Sequence, residues 1–401
     1  MAEPVTVVLV GVGGYGEVYL SALLDDPRSA DCRIAGAVDP RPENCHRLAD
    51  LEDRGVPIHS SLDEFYQTRS ADLAVISSPI HLHPEHTRQA LARGSHVLVE
   101  KPAAAATADV DDMIDARDRA GRFVAVGFQW SFAPSILDLK RDILAGRFGR
   151  PVRGRSLTLW PRTESYYERN DWAGRRRDPK GSWILDSPAN NAMAHDLHNL
   201  LFLLGPRMDR SAEPIDVSAR LWRLNDIETF DTVAARIRTA GGAELLFLAA
   251  HTVAEDESVE PRFVLDCEDA TVSFPGESAS ITARFRDGSV VEYASPHATP
   301  QVAKLWTCID AVTGSVHIPC GLETARPHVA CIEAIEESGA IPHTFSADSI
   351  RLSDTPGGRL RWVPGLAVAL ERTYETGEWP DLTKQRQVPG SSYETRGDGE
   401  S

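Results

Sequence analysis

The run Gly11-Val12-Gly13-Gly14-Tyr15-Gly16 has the spacing G-x-G-x-x-G. In that pattern the glycines permit a tight turn, close approach of backbone to a pyrophosphate, and close packing of a helix on a strand. The β-branched stretch Val5–Val10 precedes it, a helical stretch from Tyr15 to Leu24 follows, and Asp39 ends the next strand. A carboxylate there accepts hydrogen bonds from ribose hydroxyls and repels a 2′-phosphate, which favours NAD over NADP, with Arg41 acting in the opposite sense. Two further residues could do chemistry beside such a cofactor. Lys101 ends a strand, and an ammonium at the carboxyl edge of a parallel sheet can hydrogen-bond the oxygen of a carbon that exchanges hydride. His195 lies on a polar helix face, and an imidazole can exchange that hydroxyl's proton near neutral pH.

These residues need a scaffold, and the sequence supplies one in two parts. Strand candidates at Val5–Val10, Arg33–Val38, Leu73–Ser77, His96–Val99 and Phe123–Val126 alternate with helical stretches. Five such strands predict a doubly wound, α/β Rossmann domain with a parallel sheet over residues 1–130. A helix over Pro134–Leu144 then leads into Val152–Trp160, Ile215–Leu224, Thr232–Arg238, Ala243–His251, Phe263–Cys267, Ser278–Arg284 and Val290–Tyr293. Strands in succession with few helices between predict a large, mostly antiparallel open sheet in an α+β domain over 131–385. Helices are expected at Pro327–Ser338 and Arg361–Tyr374, the run Ala103–Ala106 should open another, and 386–401 reads as a polar, disordered tail.

Two more segments resemble a known family. Pro79-Ile80-His81-Leu82-His83 and Gly94-Ser95-His96-Val97-Leu98-Val99-Glu100-Lys101-Pro102, taken with the glycine loop, are similar to the P-N-x-x-H and G-x-H-V-x-x-E-K-P segments of the Gfo/Idh/MocA oxidoreductases. The resemblance implies a two-domain NAD(P)-dependent dehydrogenase or reductase acting on a sugar, inositol or related polyol. It further implies cofactor contacts from Ser78, Pro79, His83, Glu100 and Lys101, a Lys101–Pro102 bond that is often cis, and a dimer or tetramer formed through the open face of the second sheet. Gln129 and Ser131 stand where the family often has Asn and Arg; Gln129 can still hydrogen-bond the carboxamide or the substrate. Metal binding by His81, His83 and His86 is the blander alternative for that loop, but no further ligand cluster accompanies it, and no metal is expected.

The stretch from Asp186 to Gly205 reads as one helix with Ser187 as N-cap, Pro188 in the first turn and Gly205 as terminator. Asn191, His195, His198 and Asn199 then share a face. The family segment places its acid/base histidine on His195 when counted back from Gly205. Counting forward from Trp183 places its first acidic position on Asp186, and counting back places it on Asn191. The two counts differ by about five residues, so an insertion or a longer first turn is expected.

Upstream, residues 162–177 mix arginines with Tyr166, Tyr167 and Trp172. Rings can cover the apolar face of a sugar while Arg and Asn bind hydroxyls or a carboxylate. Tyr166, Trp172, Arg175, Asp186, Asn191 and His198 are the candidate substrate contacts. The net charge of −17 over 401 residues argues against a nucleic-acid or anionic-membrane partner. Six cysteines without paired spacing and no leader-like segment before Val5 point to reduced thiols and a cytoplasmic location. Rival readings are a non-enzymatic regulator that binds NAD and a sugar, and redox-assisted elimination or glycoside cleavage.

Overall fold

The computed structural model describes residues 3–276, 279–314, 316–339, 341–380 and 382. The expected tail over 386–401 lies outside them. The first sheet contains β1 (Val5–Val10), β2 (Cys32–Val38), β3 (Ile58–His59), β4 (Leu73–Ile76), β5 (His96–Val99) and β6 (Val124–Val126) in the order β3-β2-β1-β4-β5-β6. All its pairings are parallel. It has six strands, not five, because β3 is two residues long and carries no readable alternation. The strand order reverses between β1 and β4, which opens the ligand crevice at their carboxyl ends. Helices α1 (Gly16–Asp25), α2 (Leu48–Asp53), α3 (Leu62–Thr68), α4 (His83–Ala92) and α5 (Thr107–Ala120) make the connections. Strands covered on both faces are mostly apolar, and β4 is buried at every position.

The second sheet comprises β7 (Pro151–Leu159), β8 (Pro214–Arg223), β9 (Thr232–Thr239), β10 (Glu244–Ala250), β11 (Val259–Cys267), β12 (Ala270–Phe274), β13 (Ile281–Phe285), β14 (Val290–Tyr293) and β15 (His343–Thr344). Its order is β14-β13-β12-β11-β7-β10-β9-β8-β15, antiparallel except for the β7–β10 and β8–β15 pairs. Helices α6 (Pro134–Leu144), α7 (Glu164–Glu168), α8 (Ala194–Leu203), α9 (Ala303–Val312), α10 (Leu322–Ser338) and α11 (Leu366–Thr376), and the hairpin β16 (Arg351–Thr355) and β17 (Gly358–Trp362), complete the chain.

Three sequence expectations for helices are corrected. The expected helix over Arg361–Tyr374 is the end of β17, a break at Val363-Pro364-Gly365, and α11; Pro364 disfavours helix at the residue before it, and Gly365 is left-handed with φ +76°. The helix expected from Pro327 starts five residues earlier, at Leu322, and carries the proline inside it. The alanine run precedes α5 and lies outside it, with extended backbone at Ala106, and the helix begins at Thr107, whose N–H and hydroxyl both bond the Glu333 carboxylate.

Packing also departs from chain order. Leu305, Trp306, Cys308 and Ile309 of α9, with Leu322 and Val329 of α10, lie in one apolar core with β1, β4 and β5. On one face of the second sheet Leu366, Ala367, Leu370 and Tyr374 of α11 pack over Leu157, Leu159, Leu246 and Leu248. The face expected to be open for self-association is therefore covered at β7 and β10 by the chain's own helix.

Candidate active site

The glycine loop joins β1 to α1. Gly11 has φ +85°, and a Cβ there would stand 3.0 Å from the Ser77 carbonyl carbon; a Cβ on Gly16 would stand 2.2 Å from the Gly11 oxygen. Those two glycines are required by the protein's own packing. Gly14 has φ +56°, left-handed backbone that disfavours other residues. Gly13 has no such reason, since a Cβ there would meet nothing nearer than 3.5 Å. An unneeded glycine at the mouth of the crevice leaves room for a ligand's phosphates to approach the backbone, so the loop fits a dinucleotide. Asp39, at the end of β2, accepts from Val12 N at 3.0 Å and from Arg41 N at 2.9 Å. This fixes the carboxylate beside the loop while each oxygen keeps a lone pair for a ribose hydroxyl.

Two expected cofactor contacts have other work. His83 is fully buried, with Nδ1 2.8 Å from the Pro102 oxygen and Nε2 2.7 Å from the Ser78 oxygen. It ties the Ser78-Pro79 loop to the cis Lys101–Pro102 loop and has no ring nitrogen left for a ligand. Glu100 is also buried; Oε1 accepts from Tyr19 and from Lys304 of α9, and Oε2 from Lys101 N. Lys304 holds this carboxylate charged against burial, so Glu100 stands below the usual carboxylate range. The Ser78 hydroxyl turns to His86 Nδ1 at 3.0 Å. Half-buried Gln129 opens the short helical turn after β6, and exposed Arg41 flanks Asp39. The three loop histidines do not converge, and among the described residues no group of three or more His, Cys, Asp or Glu is arranged to hold a metal.

Lys101 is the centre of the second cluster. Its Nζ donates to Asn191 Oδ1 and to the Asn191 carbonyl, both at 2.8 Å. Asn191 Nδ2 donates in turn to Asp186 Oδ1 at 2.8 Å. Asp186 Oδ2 accepts from Gly174 N at 2.7 Å and from Arg169 at 3.3 Å. Burial lowers Lys101 to about 8, partly offset by Glu100.

A π-helical turn stands between Asp186 and α8. Pro188–Ala192 forms it, capped by Ser187, whose hydroxyl accepts from Asn190 N at 3.3 Å; Met193 then breaks the path and α8 starts at Ala194. The expected single helix is thus two pieces, and the turn brings Asn191 back onto Asp186, so the residues picked by the two counts are in contact. Just before it, Leu185 is left-handed with φ +52°, a conformation that costs about 1–2 kcal/mol in a residue with a Cβ. Asn190 Nδ2, bonded to the Ile184 and Leu185 oxygens, holds it in place.

His195 faces this cluster from the first turn of α8. Its Nδ1 is buried without a hydrogen-bond partner, and its ring meets Phe128 edge-on at 5.8 Å. Burial first, and then the Lys101 charge, hold it well below the ordinary histidine range, so the imidazole is neutral. It pairs with neither Asp186 nor Asn191. His198, expected at the substrate, is 1% exposed and stacks on the other part of Phe128 at 3.7 Å and 7°, with Nε2 3.0 Å from Ser131 Oγ. It lies beneath the site. His198 lies one turn further along α8 than His195 on the same side of the helix, and there Phe128, Phe202 and Ser131 enclose its ring.

Around Asp186 the aromatic segment closes in part as expected. Arg169 lies over the Tyr166 ring at 3.9 Å and over Trp172 at 5.2 Å. Arg175 instead points outward to Glu228 at 3.2 Å. Recesses of about 370 Å³, lined in part by Trp160, Arg162 and Glu260, and about 320 Å³, lined in part by Asn170, Arg175 and Glu228, flank this segment. Neither is lined by Lys101 or His195, so the reactive centre is identified by its side-chain geometry and not by these recesses.

Sequence reasoning missed Lys304, Arg169, and His328, whose Nε2 donates to the Ala189 carbonyl of the π turn at 3.1 Å. Lys304 did leave a trace: it sits among Leu305, Cys308 and Ile309 on the apolar stripe of α9, where a lysine is out of pattern.

Comparison with known proteins identifies the family of both domains. Residues 5–128 match the profile described as oxidoreductase family, NAD-binding Rossmann fold, and residues 136–273 that of the GFO/IDH/MocA C-terminal domain. Inositol 2-dehydrogenase of Streptomyces avermitilis is 30% identical over 154 residues, 38% of this chain and 44% of that protein. A 1-carboxy-3-chloro-3,4-dihydroxycyclohexa-1,5-diene dehydrogenase of Comamonas testosteroni is 30% identical over 142 residues, 35% of each. The aligned regions thus span less than half of these relatives. The crystal structure of the WlbA dehydrogenase from Bordetella pertussis, in complex with NADH and UDP-GlcNAcA, superposes with a TM-score of 0.69 at 23% identity, over 86% of this chain and all of that one.

Proposed function

The chain belongs to the Gfo/Idh/MocA oxidoreductase family, and from that premise we propose that it transfers hydride between NAD(H) and a secondary alcohol or ketone of a sugar, inositol or related polyol. One observation carries this reading: Lys101 Nζ is held by two acceptors of Asn191 at 2.8 Å beside a neutral, half-free His195. An ammonium has three N–H donors, so the third is left for a substrate oxygen. There it stabilises the negative charge that grows as the hydroxyl loses its proton. His195, uncharged at neutral pH, takes that proton in oxidation and returns it in reduction. Asn191 and Asp186 keep Lys101 directed, and Tyr166, Trp172 and Arg169 offer rings and donors for the rest of the substrate.

Gly11–Gly16 would hold the pyrophosphate of NAD and Asp39 its adenosine ribose, and the bound cofactor would supply the acceptor or donor of hydride. The Asp39 carboxylate favours NAD(H) over NADP(H) by repelling a 2′-phosphate. Self-association through that sheet face, as the family resemblance implies, would use strands that α11 leaves uncovered.

The test is to incubate the purified protein with NAD and a panel of polyols, inositols and aldoses, and to follow NADH absorbance. Net NADH formation is expected with at least one of them. Glycoside cleavage with no net NADH would replace this reading with the redox-assisted one, and binding without either reaction would favour a regulator. NADP(H) binding about tenfold tighter than NAD(H), roughly 1.4 kcal/mol, would overturn the role of Asp39.

A further inference from the structure

Lys304 reaches the glycine loop and Glu100 from the far end of the chain. It is the second residue of α9, its side chain is 1% exposed, and it pairs with Glu100 across 204 residues. Its Nζ also donates to the Tyr15 hydroxyl at 3.0 Å and the Gly127 carbonyl at 3.2 Å, so all three of its protons are used. The Tyr15 and Tyr19 rings lie 4.7 and 5.3 Å from the ammonium. Tyr15 belongs to the glycine loop, and its hydroxyl also donates to Gln301 at 3.2 Å. Glu100 is joined to Lys101 by a peptide bond, and its Oε2 accepts from the Lys101 N–H at 3.1 Å. A buried carboxylate so close to a buried ammonium would pair with it in the absence of another cation.

We propose that Lys304 is a positioning residue of the active site: it takes up the charge of Glu100 and anchors Tyr15 of the glycine loop, leaving the Lys101 ammonium for Asn191 and the substrate oxygen. The second domain thereby completes both the dinucleotide loop and the reactive centre. The proposal rests on the role given above to Lys101.

The groups that face Lys101 are Glu100, Lys304, Asp186, Arg169, His195 and His328. Burial and Lys304 disfavour its ammonium form, while Glu100 favours it. Removing Lys304 deletes one repulsion and leaves the attraction of Glu100 undivided, so Lys101 must become more basic. Removing Glu100 as well leaves burial in control and must bring it back down.

The experiment is competition labelling of the full-length protein with acetic anhydride across about pH 6–10, with Lys101 acetylation read by mass spectrometry and NADH affinity read by fluorescence titration. The wild-type Lys101 inflection is expected near 8. Lys304→Met is expected to raise it by about one pH unit and to weaken NADH binding about tenfold. Glu100→Gln combined with Lys304→Met is expected to return the inflection to the wild-type value or below. Lys304→Arg, which keeps the charge, should leave it near wild type, and Tyr15→Phe should weaken NADH about threefold without moving it. Because a lone buried carboxylate can prevent Lys304→Met from folding, the double variant is measured beside it; an inflection above wild type in the double variant overturns the proposal, as does an unmoved one in folded Lys304→Met. Failure of the wild-type protein to bind NADH would defeat the functional reading instead, and the labelling would still decide the role of Lys304.

Discussion

In the glycine loop, the groups that must meet are close in sequence: Gly16 abuts Gly11, and Asp39 reaches Val12 across 27 positions. At the lysine centre they are far apart: Lys101 meets Asn191 across 90 positions, and Glu100 meets Lys304 across 204. The loop is governed by steric demands that β1, its turn, α1 and the adjacent end of β4 satisfy together. The lysine centre is governed by charge compensation among buried groups, which only the completed fold can arrange. Substitutions should therefore act differently in the two regions: at the centre they remove chemistry, and in the loop they separate binding from stability.

The sharpest break is at Lys101. Lys101→Met is expected to lower turnover by about 10³-fold or more with NADH affinity kept, and His195→Ala by about 10²–10⁴-fold, both measured by steady-state kinetics and fluorescence titration. Full activity in either variant removes that residue from the mechanism. In the wild type, turnover should fall as pH rises through about 8, where Lys101 gives up its proton; a profile flat to pH 10 would contradict its role as an ammonium.

Within the loop, Gly13 and Gly16 should part company. Gly13→Ala has room for its methyl and should cost about tenfold in NADH affinity with the melting temperature unchanged. Gly16→Ala drives a methyl into the Gly11 carbonyl and should lower the melting temperature even without cofactor. Equal melting temperatures for the two variants would mean that the loop relaxes, and the contrast between the regions would weaken.

The smallest expected effect concerns Asp196, which is buried one residue from His195, accepts from Thr158 Oγ1 at 2.6 Å, and is pushed up by burial to about 7. Its folded pKa lies above the ordinary carboxylate value, so the stability it contributes is complete at low pH and is lost as pH rises through 7. Asp196→Asn should thus melt roughly 2–4 °C above wild type at pH 8 and at the wild-type temperature near pH 4. A gap that persists at low pH would show that the charge is not its cause.

Much of this molecule was legible without coordinates. The apolar strands of the first sheet, the glycine turn and Asp39 are local patterns, and β1, β5, β14 and α6 fall at the expected residues. Lys101 and His195 stood out as candidates because their residue types and flanking motifs narrow the choices. Periodicity failed where an element was too short to show it, as in β3, or where a proline and a left-handed glycine split what looked continuous, as at Pro364-Gly365 before α11.

The sequence by itself determined that a pyrophosphate loop, a strand-end lysine and a helix histidine belong to one dinucleotide-dependent chain, because each is set by neighbours within a few turns of chain. Only the tertiary structure decided that Asp186 and Asn191 act in series through a π turn, that His198 and His83 serve as buried supports, and that Lys304 neutralises Glu100. Those outcomes depend on which buried charges and polar atoms find partners, and the partners come from elements that approach one another only in the folded protein.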